Sequence, residues 1–76
     1  MQIDQELDLS GLNCPLPILR AKKALALLAS GAVLRVTATD PGAPGDFAAF
    51  CRQTGNVLLE SSSSEDGKFQ LVLQRK

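Results

Sequence analysis

Cys14-Pro15-Leu16-Pro17 is the one stretch of this chain whose residue types and spacing suggest chemistry. Histidine is absent, which removes Cys-His dyads, Ser-His-Asp triads and histidine-ligated metals. Two cysteines alone cannot close a structural zinc site, so the residues assign no metal and no organic cofactor. What remains is a thiol at the head of an apolar helical pattern. The first four amides of a helix lack intrahelical acceptors, and proline's fixed φ suits the opening turn. With Cys14 as N-cap, Pro15 becomes the first helical residue and Pro17 the third. The amides of Leu16 and Ile18 are then expected to stay free near the sulfur. A helix N-terminus carries roughly half a positive charge, so this placement predicts a thiol pKa below the usual cysteine value. Arg20, Lys22 and Lys23 would add to the effect if near, although a solvated helix face is the plainer reading of them. The bland alternative for Cys14 is a cysteine packed under its loop. Cys51 shares a face with Phe47 and Phe50 and reads as a buried, inert thiol.

The elements that must position Cys14 follow from periodicity. Residues 5–9, QELDL, alternate, with Leu7 and Leu9 on one face of a first strand. From Cys14 to about Ala29 the period becomes helical, with Ile18, Ala21, Leu25 and Leu28 as one stripe and Gly31 as the expected C-terminal cap. Val33 to Thr39 alternates again. Asp40-Pro41-Gly42-Ala43-Pro44-Gly45 reads as a loop, Asp46 as the N-cap of a second helix, and Gly55 as its end. Val57 to about Ser62 and Phe69 to Leu73 read as two strands of a hairpin turned at Asp66-Gly67. The order βαβαββ predicts an α+β fold, a two-layer α/β sandwich with a four-stranded mixed sheet and two helices on one face. A right-handed crossover makes the first two strands parallel. The loops bearing Cys14 and Asp40 should therefore meet at one sheet edge.

The totals narrow the classes. Seventy-six residues fit one domain, 1–76. Eight basic residues balance eight acidic ones, leaving no bulk attraction to nucleic acid or an anionic membrane. Three phenylalanines with no tyrosine or tryptophan offer little base-stacking platform. The opening MQIDQELDLS has no charged-then-apolar progression of a secretory signal, and no apolar run reaches bilayer length. The expected setting is the cytoplasm, where thiols stay reduced and a structural disulfide is disfavoured.

Asp8-x-x-Gly11-Leu12-x-Cys14-Pro15-x-Pro17, followed by Lys22-Lys23-Ala24-Leu25, resembles the TusA/SirA-like sulfur-carrier family. Thr39-Asp40-Pro41, Asp46-Phe47, Phe50-Cys51 and Gly55 also match its pattern, so the resemblance runs from about residue 7 to 74. It departs at Asn56, where the family often has histidine, and at Leu16, where the best-known tRNA-thiolation branch is acidic. The resemblance implies a small cytoplasmic sulfurtransferase that carries sulfane sulfur as a persulfide on Cys14. It implies a cysteine desulfurase or rhodanese-like donor and an acceptor protein in tRNA 2-thiouridine synthesis, molybdenum-cofactor enzymes or sulfur oxidation. Lys22 and Asp40 would be partner-docking candidates. Two rivals are a non-catalytic regulatory or protein-binding module and a thiol-disulfide oxidoreductase using Cys14 with Cys51. The latter needs Cα atoms within about 7 Å.

Overall fold

A computed structural model describes residues 2–76. Strand β1 (Gln5–Leu9) leads to helix α1 (Leu16–Ala26), strand β2 (Val33–Ala38), helix α2 (Ala43–Thr54), and strands β3 (Val57–Ser63) and β4 (Phe69–Gln74). The expected βαβαββ order is therefore the observed one. The sheet runs β1-β2-β4-β3. β1 and β2 are parallel, and β4 pairs antiparallel with both β2 and β3.

Alternation along the strands sets the two faces. Leu34, Val36 and Ala38 of β2 and Leu71 and Leu73 of β4 are all completely buried. They form one core with Leu9, with Ala21, Ala24 and Leu25 of α1, and with Ala43, Phe47, Phe50 and Cys51 of α2. Both helices thus cover one face. Across the other face runs the rung Glu6, Arg35, Val72, Glu60, where Arg35 pairs with Glu6. Small alanines at 21, 24 and 43 let the helices approach the sheet, and Phe47 fills the space between them at the centre.

Several boundaries differ from the sequence reading. α1 begins at Leu16, with Pro15 and not Cys14 as N-cap, so Pro17 is the second helical residue. The helix ends three residues early because its last turn tightens. Leu27 and Leu28 donate to the carbonyls three residues back, Ala24 and Leu25. Leu27 rather than Gly31 is consequently the C-cap. α2 begins at Ala43 with Gly42 as N-cap, which puts Asp46 inside the first turn. Pro44 fits there because early helical amides need no acceptor. Gly55 does end α2, with φ 83° and its amide on the Cys51 carbonyl at 2.9 Å.

A chain of this size has roughly 4–11 kcal/mol of stability in total. Leu34 is fully buried on β2, the strand that pairs parallel with β1 and antiparallel with β4, so Leu34→Ala should remove about 2–5 kcal/mol of it. A urea-unfolding midpoint near that of the wild type would contradict this account of the core.

Candidate functional site

Parallel pairing of β1 with β2 sets Leu9 opposite Ala38. The two strands end level with one another, and their following loops leave the sheet at one edge. The β1–α1 loop turns at Ser10-Gly11. The Ser10 amide donates to Asp8 Oδ1 at 3.0 Å, and the Leu12 amide returns to the Leu9 carbonyl at 3.2 Å. The Ser10 hydroxyl and amide hold the Asp8 carboxyl below its usual range. Gly11 has φ 82°, a backbone region open to glycine at little cost, and its amide donates to the Thr39 hydroxyl at 2.9 Å.

The second tie falls on the cysteine itself. The Cys14 amide donates to Asp40 Oδ2 at 3.1 Å, across 26 residues of sequence. Asp40 also receives the Gly42 amide on Oδ1 at 3.4 Å, and its carbonyl receives the Ala43 amide at 2.9 Å. One residue therefore shapes the start of α2 and anchors the loop before α1. The loops expected to meet do meet. Asp40 engages Cys14 directly, so in this structure it is a positioning group within the site more than a free docking handle.

Cys14 is a free, solvent-exposed thiol, and the reading of it as packed under its loop is not what is found. Cys51 is also free but buried among the α2 core residues, and burial pushes its thiol pKa up. The two thiols form no disulfide with each other in this structure, one being exposed and the other buried in the core.

The electrostatics correct the sequence reading. The Cys14 thiol is held above its ordinary pKa. Partial desolvation is the largest cause, followed by the neighbouring Asp46 carboxylate and then the negative charge of Asp40. Both carboxylates converge over Gly42, where an added Cβ would stand 3.4 Å from Asp46 Oδ2 and 3.7 Å from Asp40 Oδ2. The helix terminus offers less than expected in return. The Leu16 amide is already donated to the Asn13 carbonyl at 2.9 Å. Pro15 and Pro17 have none to give, so Ile18 keeps the first-turn amide with no backbone acceptor among the described residues. The Cys14–Pro15 peptide is cis. Pro17 is buried, and Leu16 and Lys22 are exposed on α1.

A family model described as sulfurtransferase TusA matches residues 5–75. The chain belongs to the TusA family. It is 62% identical over 72 residues to the sulfur carrier protein TusA of Allochromatium vinosum, covering 95% of this chain and 93% of that protein. The protein of the same name from Pseudomonas entomophila is 40% identical over 73 residues, covering 96% and 90%. The crystal structure of a SirA-like protein from Desulfitobacterium hafniense superposes with a TM-score of 0.81 at 27% identity, covering 92% of this chain and 95% of that one. No helix among the described residues is long and apolar enough to cross a membrane. No group of three or more potential metal ligands occurs among them either.

The sequence marks Asp46 as a helix cap and as part of the family pattern, and its effect on the thiol emerges only in the structure. The available signal was the parallel-strand argument itself. It brings the start of α2, as well as Asp40, to the sheet edge where Cys14 lies. The sign of its effect is testable. A thiol with a raised pKa is more fully protonated at neutral pH and reacts faster only as pH rises past the ordinary cysteine range. Asp46→Asn removes a negative charge that opposes ionisation. The pH profile of Cys14 alkylation by iodoacetamide should shift to lower pH, and the rate at neutral pH should rise. A profile that stays in place or moves upward would refute the assignment of Asp46 to the thiol.

Proposed function

We propose that this chain is a sulfur carrier that holds sulfane sulfur as a persulfide on Cys14 and relays it from one protein to another. The observation that carries the reading is an exposed thiol at the head of α1, its own amide fixed by Asp40, in a chain of the TusA family. The donor is a cysteine desulfurase or rhodanese-like protein, and the acceptor is a cysteine on a sulfur-relay protein of the cytoplasm.

Two displacements make up the cycle. Cys14 loses its proton, to solvent or to the neighbouring Asp46 carboxylate, and its sulfur attacks the outer sulfur of the donor's persulfide. The donor's S–S bond breaks, the donor leaves as a thiolate, and Cys14-S-S⁻ forms. An acceptor thiolate then attacks the outer sulfur, and Cys14 departs as a thiolate that is reprotonated. Sulfur oxidation states balance across the exchange, so neither metal nor redox cofactor enters. The roles are unequal. Cys14 reacts, Asp40 positions it, and Pro15, Leu16, Pro17 and Ile18 shape the turn that presents it. Lys22 is a docking contact at most.

The test is intact-protein mass spectrometry after incubation with a cysteine desulfurase, its pyridoxal cofactor and cysteine. Wild type and Cys51→Ser should each gain one or more sulfur atoms, released by reductant, and Cys14→Ser should gain none. Equal loading of Cys14→Ser would move the site elsewhere. No loading of any form would leave the regulatory or binding module as the better reading.

A further inference from the structure

Two carboxylates stand beside Cys14, and no cation among the described residues offsets them. Asp40 Oδ2 accepts the Cys14 amide at 3.1 Å, so its charge lies against the residue that carries the thiol. Asp46 reaches the same space from the first turn of α2. Oxygens of both acids lie within 4.0 Å of a single point over Gly42. Neither acid is in an ion pair among the described residues, where the one pair joins Arg35 to Glu6. Both are half-buried, so their field reaches solvent. These two acids are the charges that act on the thiol, and Arg20, Lys22 and Lys23 are not among them. Cys14 itself is exposed, and any molecule that brings sulfur to its Sγ must enter this field.

We infer that Asp40 and Asp46 select sulfur-exchanging partners by charge, favouring a reacting cysteine flanked by lysine or arginine and turning away free anionic persulfides and polysulfides. A unit charge at about 7 Å through water changes a rate about three-fold. Two acids act together on every charge that arrives with the incoming sulfur. Backbone amides carry no net charge, so their bonds to Asp40 hold it in place without neutralising it. Charge complementarity of this kind governs encounter and choice of partner more than tightness of binding, which suits a carrier that must let go. A small anionic sulfur compound cannot neutralise the acids, whereas a protein with a basic rim can. The inference rests on the sulfur-carrier reading for the identity of the partners, though not for the charge selection itself.

Disulfides of matched size test it. Cystamine, hydroxyethyl disulfide and dithiodipropionate carry ammonium groups, hydroxyls and carboxylates on similar short arms. The Cys14 thiolate attacks one probe sulfur and the probe's S–S bond breaks. A Cys14–probe disulfide forms, and the other half leaves as a thiolate. All three probes meet the same Cys14 at the same pH, so its thiolate fraction cancels in the ratio of their rates. Dividing by the rates with N-acetylcysteinamide, an uncharged thiol, removes the probes' own reactivities. Adducts are counted by intact mass, with Cys14→Ser reporting any that form on Cys51.

At about 0.1 M salt the normalised rate of the cationic probe should exceed that of the anionic one about ten-fold, with the neutral probe between. Asp46→Asn should cut that ratio about three-fold, and Asp46→Glu should keep it. Glu60→Gln makes the same change of net charge on the opposite face of the sheet and should leave the ratio unchanged. Equal normalised rates, an order unmoved by Asp46→Asn, or an equal fall in Glu60→Gln would each overturn the inference. Loading by a cysteine desulfurase, followed by mass on the same wild-type sample, reports separately on the carrier reading. If no sulfur is taken up while the charge order holds, the carrier reading fails and the selection stands. If sulfur loads and the three probes react alike, the selection fails and the carrier stands.

Discussion

The carboxylate of Asp40 accepts the Cys14 amide across 26 residues, and it can do so only because β1 and β2 run parallel and end level. A hairpin would have sent the two loops to opposite ends of the sheet. The βαβ crossover instead brings both to one edge, and the Thr39 hydroxyl on the Gly11 amide adds a second tie one residue before Asp40. Asp40 also bonds the backbone amides that open α2. Fixing Cys14 through its backbone leaves the sulfur itself free of structural duty. That combination of a rigid main chain and an open Sγ suits a group that must be met by two different partners in turn.

Charge at this site runs against the simplest expectation for a cysteine at a helix start. The positive end of a helix is expressed through unsatisfied amides, and this helix has few to spend on the sulfur. Two of its opening residues are prolines, and the Leu16 amide is taken by Asn13. Two carboxylates meanwhile converge on the same space. The prolines thus do something other than free up donors around a thiolate. They let α1 begin abruptly after an exposed residue, and they remove amides that would otherwise compete with the acids for the sulfur's protonation state.

Periodicity made the sheet, both helices and the shared loop edge legible, because alternation and the 3–4 stripe report burial directly. Helix boundaries were less so. Cys14, Asp46 and Gly31 all carry cap-like residue types, yet Pro15, Gly42 and Leu27 cap the helices. Capping depends on which φ/ψ the neighbouring turn imposes; Asp40 shapes the starts of both helices, and the tightened last turn sets the end of α1. The thiol's charge environment was less legible. The parallel strands bring the start of α2 to the edge where Cys14 lies, but no local spacing says that Asp46 will raise the thiol pKa there. Where tertiary contacts decide, composition is silent.

A resting thiol held in its protonated form has a consequence for selectivity. Reactivity of a thiol toward stray electrophiles tracks its thiolate fraction, so neighbouring carboxylates suppress unproductive reaction at neutral pH. In the proposed cycle, a Cys14 persulfide, being intrinsically more acidic than a thiol, ionises more readily than the empty carrier. Its outer sulfur also lies one S–S bond, about 2.05 Å, further from the peptide backbone. The negative charge of the loaded state therefore sits farther from Asp40 and Asp46 than a Cys14 thiolate would. The same two acids penalise the empty thiolate more than the loaded anion. In the proposed cycle, electrostatics at this site favour holding sulfur over exposing a bare nucleophile, and release then depends on a partner bringing its own thiolate to the outer sulfur.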